Sequence, residues 1–377
     1  MINRRLVCRD FFVILQFRKY QPLMNISAFL IGLSTTFFAI FALHILFWRK
    51  DNTRFQTVIG IIMAVWAVWN VKDLAMTFPS MYTEEVLQWI MIIDGWSALT
   101  YTVFIFEVVM PGWTTWRRIL LHALPFTFFT AVYAIWPCEK TTFAYTLFLW
   151  FYAWSIVIIG YIKMKRYLSY VRKNYSNIDN IDVSWLRPVF FFAVIGQLAW
   201  LFTSLYATVV TDIIYYVTNI ILWLLVLHYS WNFHPITIEA DNNKEDDINA
   251  EVLSSKTSSQ PIPRGLLEQL MEQEELYMQK DLTLSELAQA MGTNRTYVSN
   301  YLNAVYHQTF YDYINQLRIN RKSIPIITAH PEYTFEFVAA ESGFASISTF
   351  RRAFIKLTGQ TPSQYAAKCK EREARRP

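Results

Sequence analysis

The stretch GFASISTFRRAFIKLTGQTPSQY, residues 343–365, decides the fold of the last third of this 377-residue chain. Apolar side chains recur at helical spacing within it, and this pattern predicts a helix over residues 346–357. Phe350, Phe354 and Leu357 stand at i, i+4 and i+7, so we expect them to form the buried stripe of that helix.

Two glycines and a capping pattern frame the predicted helix. Gly343 precedes it and is suited to a left-handed turn, while Gly359 is expected to end it. Thr361, Pro362 and Gln364 then occupy the N-cap, N1 and N3 positions of a following helix, which is a capping-box arrangement. The sequence therefore predicts helix, turn, helix and a capped further helix in direct succession.

The remaining face of the helix is small, polar and basic. It consists of Ser348, Thr349, Arg351, Arg352 and Lys356. An ordinary surface helix would also alternate apolar and polar residues. Because the turn glycine, the basic face, the stop and the cap occur together in order, we favour a helix that lies in the major groove of double-stranded DNA.

An internal repeat predicts a second unit of the same kind upstream. The spacing of Leu287, Ala288 and Gly292 is repeated at an offset of 51 positions by Val338, Ala339 and Gly343. At these residues the chain resembles the DNA-binding domain of AraC/XylS-type transcription regulators, over about 263–370. The resemblance implies two helix-turn-helix units joined by a long helix.

The first unit carries its own helix-start signals. Thr283 with Glu286 forms a capping box, and Thr293 and Asn294 are expected to open the recognition helix of this unit. Val298 and Leu302 are expected to be buried. The exposed face is expected to hold Arg295, Thr296, Ser299 and Asn300, with Arg295 directed at a phosphate.

The family resemblance implies roles for individual residues. Base contacts are expected from Thr296, Ser299 and Asn300 in the first unit and from Ser348, Thr349 and Arg352 in the second. Arg351 is expected to touch phosphate. Two such units face one side of DNA about 34 Å apart, so one chain could read an asymmetric site.

The chain departs from the family pattern in the connection between the units. A leading helix is expected over 264–279 and a connecting helix over 311–324. Pro325 falls where the connecting helix of the family continues, which predicts an early end or a kink. The glycine expected after the first recognition helix is replaced around His307 and Gln308.

The composition of the chain before residue 233 is typical of membrane proteins. Over the whole chain 54% of residues are apolar and 17% charged, with 14 Trp, 22 Tyr and 29 Phe. Seven apolar segments are each long enough to cross a hydrocarbon core of about 30 Å: 24–48, 55–78, 86–110, 117–136, 142–162, 186–210 and 213–232. A buried soluble bundle is the alternative, and connections as short as Thr211 to Asp212 disfavour it. The predicted fold is all-α, a seven-helix transmembrane bundle followed by a cytoplasmic domain with two helix-turn-helix units.

Charged loop residues predict the orientation in the bilayer. Loops one, three and five hold eleven Lys and Arg residues, whereas loops two, four and six hold only Lys140. This places the carboxyl end in the cytoplasm, and we expect a multi-pass protein of a bacterial inner membrane. The basic residues before Met24 would then lie on the wrong side, which favours translation starting at Met24 rather than Met1.

Four polar residues within the apolar segments are candidates for a signal pocket. They are Asn70, Asp94, Gln197 and Asn219. Polar groups at membrane depth are costly and face either a cavity or another helix. Interhelical hydrogen bonding is the alternative to a pocket, and Asp94 is the most central of the four.

The predicted domains are a transmembrane domain at 24–232, an acidic flexible linker at 233–262, a DNA-binding domain at 263–370 and a basic tail at 371–377. Catalytic motifs do not emerge, and the three cysteines share no metal-ligand or redox spacing. We therefore predict no enzyme activity, no cofactor and no metal site.

These features predict a membrane-tethered transcription regulator that couples an unknown small-molecule or envelope signal to DNA. An intramembrane transporter or enzyme with an autoregulatory DNA-binding tail is the alternative. Proteolytic release of the tail and homodimerisation on paired sites also remain open.

Overall fold

The computed structural model describes residues 25–49, 52–78, 83–205, 209–236 and 265–374. These residues are helical or irregular and hold no β-strand; an isolated antiparallel bridge joins Tyr175 and Thr283. The all-helical class predicted from the sequence is therefore found. The residues before Met24, most of the predicted linker and the last three residues of the chain lie outside the described ranges.

The chain divides into two compact units. One comprises Met1–Met164 with Val183–Pro235, and the other comprises Lys165–Asp182 with Ile236–Pro377. The sequence-based boundary at residue 232 placed Lys165–Asp182 in the transmembrane domain. The structure instead groups that segment with the C-terminal unit, and the contacts responsible are given below.

Eight helices are described in the first part of the chain. They are α1 (Asn25–Trp48), α2 (Arg54–Val71), α3 (Glu84–Gly95), α4 (Ser97–Val109), α5 (Trp116–Ile135), α6 (Glu139–Asn174), α7 (Leu186–Leu205) and α8 (Val209–Ser230). In the first unit α2 packs against α4, and α7 packs against α8. The last residues of α6, from Lys165, belong to the second unit.

Six helical stretches in the described residues are long and apolar enough to cross a membrane, by length and composition. Five correspond to α1, α2, α5, α6 and α8, and the sixth is Glu85–Val109, which joins α3 and α4. In α7 the apolar stretch among the fully described residues is Leu186–Leu198. Within the described residues, six of the seven predicted segments thus reach membrane-spanning length.

An aromatic cluster forms part of the core of the first unit. The Trp223 ring on α8 is buried and lies against Phe38, Trp66, Tyr101 and Phe104. Many other large apolar side chains of this unit point outward, among them Phe29, Phe47, Leu121, Phe143 and Phe151. Such an outer surface would be unfavourable in water and is suited to contact with lipid.

Buried Glu107 is fully engaged at one end of α4. Its carboxylate accepts hydrogen bonds from the backbone N–H groups of Gly112 at 3.0 Å and Thr114 at 2.8 Å. Arg54 forms an ion pair with it at 3.2 Å. This carboxylate therefore fixes the turn between α4 and α5, since a buried charge needs such partners.

The second unit contains eight further described helices. They are α9 (Leu266–Glu272), α10 (Leu284–Ala290), α11 (Arg295–Tyr301), α12 (Phe310–Arg318), α13 (Ile324–Ala329), α14 (Phe335–Glu341), α15 (Ile347–Thr358) and α16 (Pro362–Ala374). The leading helix predicted over 264–279 is shorter than expected. It ends at Glu272, and a 3-10 turn at Leu276–Met278 follows.

The connecting helix continues through Pro325 to Ala329, so the early end, one of the two outcomes expected there, is not found. A π turn at Ile319–Ser323 joins α12 to α13, and the Ile324 N–H donates to the Ile319 carbonyl five residues back. The wider turn precedes the position where proline would leave an α-helical bond unmade. The buried Ser323 hydroxyl donates to the Ser342 hydroxyl at 2.8 Å, which ties this turn to the second helix-turn-helix unit.

Two apolar clusters fill the second unit, one under each helix-turn-helix. The first includes Leu287, Val298 and Ile314, and the second is built around Phe350 and Phe354. Leu357 was expected in the same stripe but is 39% exposed. It lies in the last turn of α15, where Tyr365 of α16 covers Phe354 with ring centroids 5.5 Å apart instead.

Candidate nucleic-acid interface

The first helix-turn-helix is formed by α10 and α11. Thr283 and Glu286 make the predicted capping box at the start of α10. Gly292 turns the chain with φ +64°, and the Asn294 side chain accepts the Tyr297 N–H at 2.8 Å to open α11. Val298 and Leu302 are fully buried as predicted.

The polar face of α11 is buried at its first residue and exposed or half-buried beyond it. Thr296 and Asn300 are exposed, and Ser299 is half-buried. Arg295 is only 8% exposed, so its predicted exposure is wrong. It stands three residues before Val298 and seven before Leu302, which places it on the buried stripe of the helix.

A left-handed residue ends the first recognition element. After α11 the chain makes a π turn at Leu302–Tyr306, and His307 then adopts φ +53°. This is the position where the family pattern led us to expect glycine. Histidine takes the left-handed conformation itself, although such a φ is uncommon for residues with a side chain.

The second helix-turn-helix, α14 and α15, is built on a tighter turn. Gly343 has φ +79°, and a Cβ added there would lie 2.7 Å from the Met278 carbonyl oxygen. Ser346 caps α15 by accepting the Thr349 N–H at 3.2 Å, and Gly359 ends the helix with φ +71°. These local features agree with the sequence predictions for this unit.

The outer face of α15 is partly engaged with other residues of the second unit. Ser348 and Arg351 are exposed, as predicted. Lys356 pairs with Asp312 of α12 at 2.7 Å. Thr349 was expected to be exposed, but only 1% of its surface is accessible.

The segment that covers Thr349 comes from the connection between α6 and α7. The Thr349 hydroxyl donates to the Asp179 carboxylate. The Arg352 guanidinium pairs with Asp179 at 3.2 Å and with Asp182 at 3.2 Å. Burial of Thr349 therefore depends on residues about 170 positions earlier in the sequence, which helical periodicity cannot reveal.

The same segment is held to the second unit at further points. The Ser176 N–H donates to the Leu282 carbonyl at 3.1 Å, and the Asn177 amide donates to Asp281 at 2.8 Å. Tyr175 makes the isolated bridge with Thr283. We call residues 175–182 the acidic loop.

Arg318 joins the acidic loop to the centre of the domain. The residue is 1% exposed, and its guanidinium donates to the carbonyls of Tyr277 at 2.7 Å and Gln279 at 2.6 Å. It also donates to the Ser176 hydroxyl at 3.4 Å and lies over the Phe344 ring at 5.5 Å. Burial lowers the pKa of Arg318 to about 10, which leaves it charged at neutral pH.

Comparison with known proteins agrees with this geometry. A family model described as a helix-turn-helix domain matches residues 287–368. This match covers α11 to α15 and most of α10 and α16. The C-terminal domain is an AraC-type helix-turn-helix domain.

Relatives of the AraC-type domain include proteins of Staphylococcus aureus and Escherichia coli. An uncharacterized HTH-type transcriptional regulator of Staphylococcus aureus strain COL is 31% identical over 91 residues, which is 24% of this chain and 12% of that protein. The regulatory protein SoxS of Escherichia coli K12 is 29% identical over 89 residues, 24% of this chain and 81% of SoxS. The similarity is confined to the AraC-type domain, and no solved structure matches the chain.

The four candidate pocket residues of the first unit have different surroundings. Asn70 is buried and donates to the Ser34 hydroxyl at 2.9 Å. Asp94 pairs with Lys72 at 2.6 Å and accepts from the Trp69 indole at 3.3 Å. In the part of the chain that the structure describes, no hydrogen bond or ion pair links Asn70, Asp94, Gln197 and Asn219 to one another. Interhelical bonding, the alternative from the sequence, describes Asn70 and Asp94.

Sequence reasoning missed Asp179, Asp182 and Arg318. The two aspartates follow the strongly basic end of α6. Because Lys and Arg residues outnumber them there, the charge pattern of this stretch does not indicate an acidic contact. In the sequence, Arg318 is one of several basic residues of the predicted connecting helix, and nothing there sets it apart. Its burial follows from the carbonyl groups that face it, and such a partner set is visible only in three dimensions.

Proposed function

We propose that this chain is a membrane-tethered, sequence-specific DNA-binding transcription regulator. In this proposal the AraC-type domain binds promoter DNA in the cytoplasm, and the apolar helices hold it at the inner membrane of a bacterium. The unknown signal is an envelope state or a small molecule sensed by the first unit. The observation that carries the proposal is the combination, in one chain, of an AraC-type domain with six helical stretches of membrane-spanning length among the described residues.

The DNA-binding part of the proposal is supported by the form of the second unit. Two short helices, α11 and α15, each follow a turn glycine and each expose polar side chains beside a buried apolar cluster. Helices of this kind insert into successive major grooves. The relatives named as transcriptional regulators support a role in transcription.

The proposed contacts follow from the positions of the side chains on the two recognition helices. Thr296, Ser299 and Asn300 would read bases through α11. On α15, Ser348, Thr349 and Arg352 would read bases, and Arg351 and Lys356 would contact phosphates. Arg295 contributes less than the sequence predicted, because burial at the start of α11 keeps its side chain from the groove.

The membrane part of the proposal is supported by the outward-facing side chains of the first unit. Large apolar residues such as Phe47, Val68 and Phe143 are exposed on helices long enough to span a bilayer. Exposing such a surface to water is unfavourable, whereas contact with lipid acyl chains is favourable.

Genome-wide mapping of DNA crosslinked to the full-length protein tests the proposal. We expect discrete peaks that share a sequence motif, because base contacts from two helices select a site. Arg352→Ala should weaken these peaks, whereas Glu371→Gln, at an exposed position of α16, should leave them unchanged.

Two results would contradict the proposal. A wild-type profile without specific peaks, in cells where the protein is present and folded, would remove the DNA-binding role. A reporter fused after Pro377 that is active only outside the cytoplasm would remove the proposed topology, since the domain could not then reach the chromosome.

A further inference from the structure

We infer that the acidic loop is an internal competitor of DNA for the second recognition helix. In the structure, the carboxylates of Asp179 and Asp182 bind the side chains of Thr349 and Arg352 on α15. The proposed function assigns these two side chains to base contacts. This inference rests on the proposed function, and it adds how DNA binding at that site is regulated.

The contact is formed by the groups that DNA would use. Arg352 directs one guanidinium nitrogen to Asp182 and the other to Asp179, each at 3.2 Å. A guanidinium recognises paired acceptor atoms in this way, whether they belong to carboxylates, phosphates or a guanine edge. The two aspartates therefore satisfy Arg352 in place of DNA.

Steric exclusion accompanies the charge pairing. Asp179 covers the Thr349 hydroxyl, and Thr349 is almost fully buried. A base edge cannot reach Thr349 while Asp179 remains there. The loop-bound and DNA-bound states of α15 are therefore mutually exclusive, which makes the loop and DNA reciprocal competitors.

The loop is positioned by contacts that do not involve the DNA-binding face. Ser176 donates to Leu282, Asn177 donates to Asp281, and Arg318 reaches the Ser176 hydroxyl. The side chains of Asp179 and Asp182 are 18% and 10% exposed, compared with 50% for Arg352. The two aspartate side chains are thus mostly buried, whereas Arg352 is the partner that solvent and DNA can reach.

The strength of the contact suits a switch. Ion pairs with one half-exposed partner are individually weak, so the loop-bound state is stabilised modestly rather than locked. A competing state that occupies about nine-tenths of the molecules would raise the apparent Kd for DNA about tenfold. A signal that withdraws the loop needs to supply only the free-energy difference that corresponds to this change in apparent Kd.

The chain connects this competitor directly to the apolar helices. The acidic loop begins one residue after the end of α6 and is followed within four residues by the start of α7. A change in the arrangement of these two helices would pull on both ends of the loop. No other protein is required to carry the signal to α15.

The test measures equilibrium DNA binding by the full-length chain in lipid nanodiscs. The probe is a duplex enriched from a randomised pool by the same full-length preparation. Asp179→Asn with Asp182→Asn keeps the size and polarity of both side chains but removes their charge. We expect its Kd to fall about tenfold relative to wild type.

A matched control separates the loop from net charge. Glu332→Gln with Glu371→Gln removes the same charge from exposed positions of the same unit. We expect its Kd to stay within about twofold of wild type, since exposed charges away from the contact are screened by salt. Equal tightening by both double variants would overturn the inference.

A double-cysteine variant tests the same contact with Asp179 and Asp182 intact. A folding defect in the neutralised loop therefore cannot decide the result. Asn177→Cys with Asp281→Cys, in a background with Cys8, Cys138 and Cys369 changed to serine, allows a reversible thiol crosslink that holds the loop in place. Crosslinking should weaken DNA binding, and reduction should restore it. Unchanged binding after complete crosslinking would overturn the inference.

The outcomes also distinguish this inference from the proposed function. If wild type binds the duplex and Arg352→Ala weakens that binding, the proposed function stands. If under those conditions neutralising Asp179 and Asp182 has no effect, the competition is refuted alone. If no preparation, including the neutralised loop, binds any selected duplex, both are refuted.

Discussion

The two recognition helices of this domain, α11 and α15, have the same local design but different surroundings. Each begins at a polar N-cap, Asn294 or Ser346, after a left-handed glycine. The reading face of α11 exposes Thr296 and Asn300, whereas on α15 Thr349 is buried and Arg352 is paired with two carboxylates. Sequence repeats therefore predict the scaffold of both units, while the availability of each for DNA is decided by a distant segment of the chain.

The largest expected effect distinguishes the two turn glycines. Gly343→Ala should lower the local free energy of unfolding by about 3 kcal/mol, because it combines a left-handed conformation with a clash against the Met278 carbonyl. Gly292→Ala should cost about 1 kcal/mol, since nothing lies within 4 Å of the added Cβ. Hydrogen exchange of the amides in each helix-turn-helix of the full chain measures both values. Equal losses of unfolding free energy at the two turns would contradict the close approach of Gly343 to the Met278 carbonyl.

The next effect concerns base contacts and their dependence on the acidic loop. Asn300→Ala should cost about 1–3 kcal/mol of DNA-binding free energy, with the native loop or with Asp179→Asn and Asp182→Asn. Arg352→Ala should cost a similar amount when the loop is neutralised. With the native loop it should cost about 1 kcal/mol less, because the substitution also releases the competitor.

A double-mutant cycle in nanodiscs measures this coupling. Additivity at Asn300 together with non-additivity at Arg352 would sharpen the contrast between α11 and α15. If the Arg352 effect is the same in both backgrounds, the loop does not compete with DNA at this residue.

The smallest expected effect tests the likeness of the two helices. Asn294→Ala and Ser346→Ala should each destabilise their helix by about 1 kcal/mol, because each removes one acceptor from an N-terminal N–H. Matched losses, read from hydrogen exchange in the first turn of each helix, would support a common scaffold. A loss at only one cap would mean that the helices are stabilised differently.

Local signals in the sequence predicted the parts of the domain that depend on neighbouring residues. The capping box at Thr283 and Glu286, the cap at Asn294 and the stop at Gly359 each involve groups within a few positions, and each is found. Val298 and Phe350 follow helical periodicity into the core for the same reason. Short-range geometry allows little choice at such positions.

Predictions that depended on tertiary surroundings were less successful. Arg295 was assigned to the polar face of α11, although it lies on the same buried stripe as Val298. Leu357 was assigned to the buried stripe of α15, but its side chain is exposed. Pro325 was expected to end or kink the connecting helix, which continues past it by way of a π turn. Thr349 was predicted to be exposed because nothing in the sequence links it to Asp179.

Hydrogen exchange of the acidic loop, in full-length protein with and without DNA, tests the central claim most directly. The Ser176 N–H is bonded to the Leu282 carbonyl, so a peptide covering residues 175–182 should be protected in the free protein. We predict that a specific duplex increases exchange in this peptide while α14 is unchanged, because DNA displaces the loop from α15. Full DNA occupancy with no change in the exchange of residues 175–182 would contradict the account.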